Sequence, residues 1–161
     1  MYIEQRVEFG RNIQPEINDC LQQAVACAED FERARDHLYR ARELARNMQQ
    51  DQLEVYIALY KFCFYRGHLD EAEQVVLEAL QESARRGGFA EDWNQLDVTS
   101  ADWTQQQGPA RVYLYSMKAL AFIFLRKKRH AEAKRVLDKL AALDTLDLVG
   151  GSVIMVLSEA I

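Results

Sequence analysis

Apolar and small residues recur along the chain at the same offsets in three places: Phe31, Ala34, Leu38, Ala41; then Leu69, Ala72, Val76, Ala79; then His130, Ala133, Leu137, Leu140. Steps of three, four and three residues set each group on one face of a helix. Each group follows another apolar-periodic stretch: Leu21 and Val25; Tyr56, Leu59 and Cys63; Met117, Leu120, Ala121 and Phe124. The pattern predicts a unit of helix A, tight turn and helix B, repeated three times. Punctuation agrees with it. Asp30 and Asp51 are placed to cap helix N-termini, Gly67 falls at an A-to-B turn, and Pro15 and Pro109 stand where a first helical turn tolerates proline. A small residue at Ala34, Ala72 and Ala133 lets helix B approach helix A closely, and the larger residue four positions on fills the groove between them.

These residues resemble the tetratricopeptide repeat family, whose helix-turn-helix unit has roughly 34 residues. Residues 53 to 86 carry the likeness through Tyr56, Leu59, Gly67, Leu69, Ala72, Val76, Ala79 and Leu80. Residues 114 to 147 carry it through Met117, Leu120, Ala121, Phe124, Ala133, Leu137 and Leu140. A first unit, about 15 to 48, is degenerate, with Asn18 and Gln22 where an aromatic and a small residue are usual. Tyr60 replaces the small residue usual in helix A, and the proline that often ends a unit is absent at Ala84 and Thr145. Register is also irregular. Ala34 to Ala72 spans 38 positions and Ala72 to Ala133 spans 61, one period of about 34 plus an insertion of about 27. The resemblance implies an all-α fold: an α-α superhelix in one domain over 1–161, with an insertion at 87–113 and a terminal helix at 148–161.

The resemblance also implies a site, because stacked units of this kind line a concave groove with the inner faces of their A helices. In unit two those positions are Glu54, Ile57, Ala58, Lys61, Phe64 and Tyr65; in unit three, Tyr115, Lys118, Ala119, Phe122, Leu125 and Arg126. The first unit offers Glu16, Asp19, Cys20, Gln23 and Cys27. The partner-binding expectation rests on Lys61, Phe64, Tyr65, Tyr115, Lys118, Phe122 and Arg126, an aromatic and basic set suited to a peptide or helix with apolar anchors and some acidic charge. The asparagine and lysine set by which some family members clamp a C-terminal carboxylate is missing from it.

Two further stretches are individual to this chain. Between Gly87-Gly88 and Gly108-Pro109 lie its two tryptophans, in a duplicated motif: Asp92-Trp93-Asn94-Gln95, then Asp102-Trp103-Thr104-Gln105. Trp93 and Trp103 read either as partner anchors or as cover for the gap between units two and three. After Gly150-Gly151 the residues from Ser152 to Ile161 are apolar on nearly every side, which predicts self-association through 152–161 as a homodimer, or burial against the insertion.

Composition narrows the classes of function. Among 161 residues, 25 acidic side chains against 20 basic ones give a net charge of −5, which disfavours a phosphate-backbone binder, so no nucleic-acid partner is expected. No apolar run approaches the roughly 20 residues that span a bilayer, and Met1 to Arg6 has no signal-like apolar region, so no membrane partner is expected either, and a soluble cytoplasmic protein is. Cys20, Cys27 and Cys63 lack C-x-x-C spacing and read as reduced, packed thiols. His37, His68 and His130 form no i, i+4 ligand pair, so neither metal nor cofactor is expected. No phosphate loop, H-E-x-x-H or G-x-S-x-G occurs, and the reading is of a non-enzyme. Arg126-Lys127-Lys128-Arg129 is expected on the last turn of a helix, offsetting its dipole. The charged stretch Glu29 to Arg46, with Glu29–Arg33 and Asp36–Arg40 at i, i+4, is expected to be a solvated face. The leading expectation is thus an adaptor or assembly module. The alternatives are a chaperone like those that hold type III secretion translocators, implied by the family resemblance, and a regulatory peptide-sensing domain.

Overall fold

Phe31, Leu69 and His130 are each the first residue of a helix in the computed structural model, which describes residues 13–48 and 53–160. The residues at their shared offsets face inward: Ala34, Leu38 and Ala41, then Ala72, Val76 and Ala79, then Ala133, Leu137 and Leu140 are all buried. The helices are α1 (Pro15–Ala26), α2 (Phe31–Asn47), α3 (Glu54–Tyr65), α4 (Leu69–Gly87), α5 (Pro109–Arg126), α6 (His130–Leu143) and α7 (Gly151–Glu159), with a 3-10 turn at Trp93–Gln95. The described residues form no strand, and no helix among them is long and apolar enough to cross a membrane.

Each helix packs on the next along the chain, and α5 also touches α3 and α7. This neighbour-on-neighbour order is compatible with a helical repeat. It makes α5 the centre, with twelve of its eighteen residues buried. In α1 the inward residues are Ile17, Cys20, Leu21 and Ala24, so Cys20 belongs to the core and not to a binding surface.

The termini show why the helices stop where they do. Asp30 accepts a hydrogen bond from the Arg33 N–H at 3.2 Å and caps α2; Asp51 lies outside the described residues. Pro15 and Pro109 are each the first residue of their helix, so α5 begins at Pro109, and the segment between α4 and α5 is 88–108 and not 87–113. Gly67 turns the chain from α3 to α4 with φ +80°, a conformation that glycine adopts without strain. Sixty-one positions on, Lys128 makes the same turn with φ +61° and a side chain to accommodate. The basic run is therefore not a helical turn beyond its first residue: α5 ends at Arg126, and Lys127 and Arg129 extend to α4 instead, pairing with Asp70 and Glu73.

The charges of α2 do more than meet solvent. Arg35 pairs with Glu71 at 3.4 Å, while Arg42 and Arg46 share Glu78 at 3.0 Å each, which ties α2 to α4. The Tyr39 hydroxyl also donates to Glu71, at 2.7 Å. The first two helix pairs are joined a second time by rings: Phe31 stacks on Phe62 and on His68, with centroids at 5.3 and 3.8 Å.

Segment 88–108 is fastened to the array by its backbone carbonyls. Tyr113 and Arg111 of α5 donate to Glu91 O and Gln105 O, at 2.7 and 3.0 Å, and Lys139 of α6 donates to Leu96 O at 2.8 Å. The duplicated motif meets two environments. Trp103 is 4% exposed, packed against Phe89 and Tyr113, with its indole N–H on Asp97 O at 2.9 Å; it serves packing and presents no surface to a partner. Trp93 is half-buried beside Leu77, Leu80 and Ala90 in a shallow depression.

Candidate functional site

α3 and α5 lie side by side, and the residues that turn away from their B-helix partners wall a cleft of about 500 Å³. α3 supplies Ile57, Tyr60, Lys61, Phe64 and Tyr65 at helical spacing; α5 supplies Tyr115, Lys118, Ala119, Phe122 and Ile123; Ile154 of α7 contributes one further wall residue. The volume falls in the range of sites that hold a small ligand or a few side chains of a peptide.

The walls are aromatic. Phe64 contacts Phe122 with ring centroids 5.2 Å apart, and Tyr65 meets Phe64 edge-on at 5.6 Å. The Arg126 guanidinium lies 5.4 Å from the centre of the Phe64 ring, which fixes it at the rim by a cation-π contact. Tyr65 is 77% exposed and Tyr115 42%, unusual for large rings outside an interface.

The charge is cationic. Lys61 is exposed and Lys118 half-buried, and neither has an ion pair or hydrogen bond to another described residue. Lys118 lies over the junction between α6 and α7, where its Nζ is 3.5 Å from the position a Cβ on Gly150 would take. There it helps to hold the Asp147 carboxyl below the usual range, after the stronger effect of hydrogen bonds from Ser152. Tyr60 forms the floor. Burial pushes its hydroxyl up to about 12, with the neighbouring Ser116 hydroxyl pulling weakly the other way. No hydrogen bond of good geometry joins the two, and Ser116 Oγ, wholly buried, has no partner. The cleft thus offers apolar rings for burial and ammonium groups for a carboxylate, with no nucleophile and base set against each other.

Of the residues expected to bind a partner, Lys61, Phe64, Tyr65, Tyr115, Lys118 and Phe122 come together in the cleft, and Arg126 stands at its edge. Trp93 and Trp103 belong to segment 88–108 and line no part of it. Glu54, Ala58 and Leu125 also stay out, Leu125 because it is buried in the core, and Glu16, Asp19, Cys20 and Gln23 of α1, with Cys27 just after it, contribute nothing. Tyr60, Ile123 and Ile154 were missed. Tyr60 carried a signal, since a large residue at a position that is usually small has to displace something, and here it forms the floor. Among the described residues no group of three or more His, Cys, Asp or Glu side chains is arranged to hold a metal ion.

The chain is similar to a protein of Azotobacter chroococcum mcd 1 that bears the name "Uncharacterized 19.8 kDa protein in nifW 5'region". The two are 27% identical over 154 residues, which cover 94% of this chain and 83% of that protein. No family model and no solved structure matches the chain.

Proposed function

We propose that the chain is a tetratricopeptide-like helical-repeat module that binds a partner polypeptide in the cleft between α3 and α5. The supporting observation is the pairing of an apolar, aromatic cleft with two lysines that form no ion pair or hydrogen bond with a described residue. On other faces Arg35, Arg42, Lys127 and Arg129 are drawn into ion pairs across helices. Leaving Lys61 and Lys118 without one suits a carboxylate that comes from outside. The partner is a peptide or helix with an aromatic or aliphatic anchor seated against the Phe64–Phe122 pair and an acidic residue on either side. In this reading the protein acts as an adaptor in a reducing, cytoplasmic setting, which three free cysteines fit.

The test is titration of fluorescent peptides that carry one aromatic residue flanked by glutamates, against wild-type and Lys61→Glu/Lys118→Glu protein. Saturable binding weakened at least about tenfold by the double reversal, with the helical circular dichroism unchanged, is the expected result. Equal binding by both proteins, or by a peptide with lysines for glutamates, overturns the reading.

A further inference from the structure

α7 carries two apolar stripes, where a helix that merely closes an array needs one. The inward stripe is Gly151, Ile154, Met155 and Ser158, which stand 34 positions after Met117, Leu120, Ala121 and Phe124 of α5. Gly151 is pressed so closely on Leu140 that an added Cβ would come within 2.6 Å of its side chain. By register and packing, α7 therefore takes the place of a further first helix. α1, α3 and α5, the earlier helices of that kind, are each covered by the helix that follows. The outer stripe of α7 has no such cover among the described residues.

That stripe is Val153, Val156 and Leu157, at i, i+3 and i+4 and exposed by 61%, 65% and 46%. Leu146 and Leu148, in the turn that leads into α7, extend it with exposures of 66% and 43%. The other exposed large apolar side chains among the described residues are Tyr65 and Tyr115 in the cleft and the scattered Leu77 and Val98. The helix is also held ready. The buried Asp144 carboxylate accepts hydrogen bonds from the N–H groups of Leu148 and Val149, both at 2.9 Å, and Asp147 accepts from Ser152. Little ordering cost is left for a binding partner to meet.

We infer that the outer stripe of α7 is the contact surface for a second copy of this chain, α7 against α7 about a two-fold axis. Charge selects this occupant. Between Gly151 and Glu159 there is no basic residue and Glu159 is the one carboxylate, while Asp147 lies at the far end between Leu146 and Leu148, so the middle of the stripe gives a charged foreign segment nothing to recognise. A second copy presents the same uncharged row, and an isologous contact matches a surface to itself. Val156, near the middle of the stripe, packs close to the axis. The inference is independent of what occupies the cleft.

Sedimentation velocity from micromolar to near-millimolar concentration tests it, with wild type, Val156→Lys and Lys61→Glu/Lys118→Glu compared. Wild type is expected to pass from monomer to dimer as concentration rises. Val156→Lys, which sets two ammonium groups against each other at the axis, is expected to weaken the dimer by about a hundredfold or more. Its helical signal should not change, nor its melting temperature at concentrations where wild type is monomeric, because Val156 is mostly exposed and supports nothing within the protomer. The cleft double variant should dimerise as wild type does. A wild type that stays monomeric throughout overturns the proposal and leaves the stripe to a helix from some other segment or protein. A dimer that survives Val156→Lys, or one abolished by the cleft substitutions, overturns it by placing the contact elsewhere.

Discussion

The face where α2 meets α4 and the cleft between α3 and α5 are built from similar ingredients, long basic side chains beside aromatic rings, and differ in what those cations meet. On the α2–α4 face Arg35, Arg42 and Arg46 reach Glu71 and Glu78, and Arg42 also lies 4.4 Å over the Tyr39 ring. In the cleft Lys61 and Lys118 stand among Tyr60, Phe64 and Phe122 and form no such pair with a described residue. Arginine suits the first task because its planar fork holds two acceptors in fixed geometry; lysine suits the second because a single mobile ammonium meets an incoming acid in many poses. The first face holds helices together, and the second keeps its ammonium groups out of such pairs.

Substitutions on each face separate their roles. The largest effect is expected at Leu120, fully buried in the central helix α5. Leu120→Ala should cost about 2–5 kcal/mol in urea unfolding and weaken peptide binding along with stability. Next comes Lys61→Glu/Lys118→Glu, whose expected loss of tenfold or more in peptide affinity, about 1.4 kcal/mol, should leave the urea midpoint within error of wild type. Glu78→Gln should behave in the opposite way. It removes the shared partner of Arg42 and Arg46, so stability should fall by about 1 kcal/mol in low salt and by less in high salt, with peptide affinity unchanged. If Glu78→Gln weakens the peptide as much as the lysine reversal does, the two faces are not separate. The smallest effect is at Cys63, buried beneath the α2–α4 face, where burial pushes the thiol up to about 12. Cys63 should resist alkylation as pH is raised through 9, while the half-buried Cys27 reacts, until denaturant opens the fold.

Much of this architecture is written locally. Ala34, Ala72 and Ala133 with their partners at fixed offsets announce three B helices, since small residues at helical spacing leave few other ways to pack. The cleft was legible at one remove: resemblance to a repeat family set Lys61, Phe64, Tyr65, Tyr115, Lys118 and Phe122 on one side, while Ile154 joins them from a helix more than thirty positions away. What stayed hidden depends on distant neighbours. Trp93 and Trp103 have nearly the same local sequence, and only Phe89 and Tyr113 decide that one is buried. Arg35–Glu71 and Arg42–Glu78, each 36 positions apart, fall outside any window that looks for pairs on one helix. Lys128 gave no sign of a left-handed turn, because that conformation follows from the corner between α5 and α6 and not from lysine.

Segment 88–108 also acts as a gauge for the cleft it does not line. Tied at Glu91, Leu96 and Gln105 to side chains of α5 and α6, and continuous with the end of α4, it braces the far side of the joint that sets how far α3 stands from α5. The walls beside the Phe64–Phe122 pair are thereby supported from behind. On the proposed reading, an occupant would meet walls already in place and spend little of its affinity on ordering them.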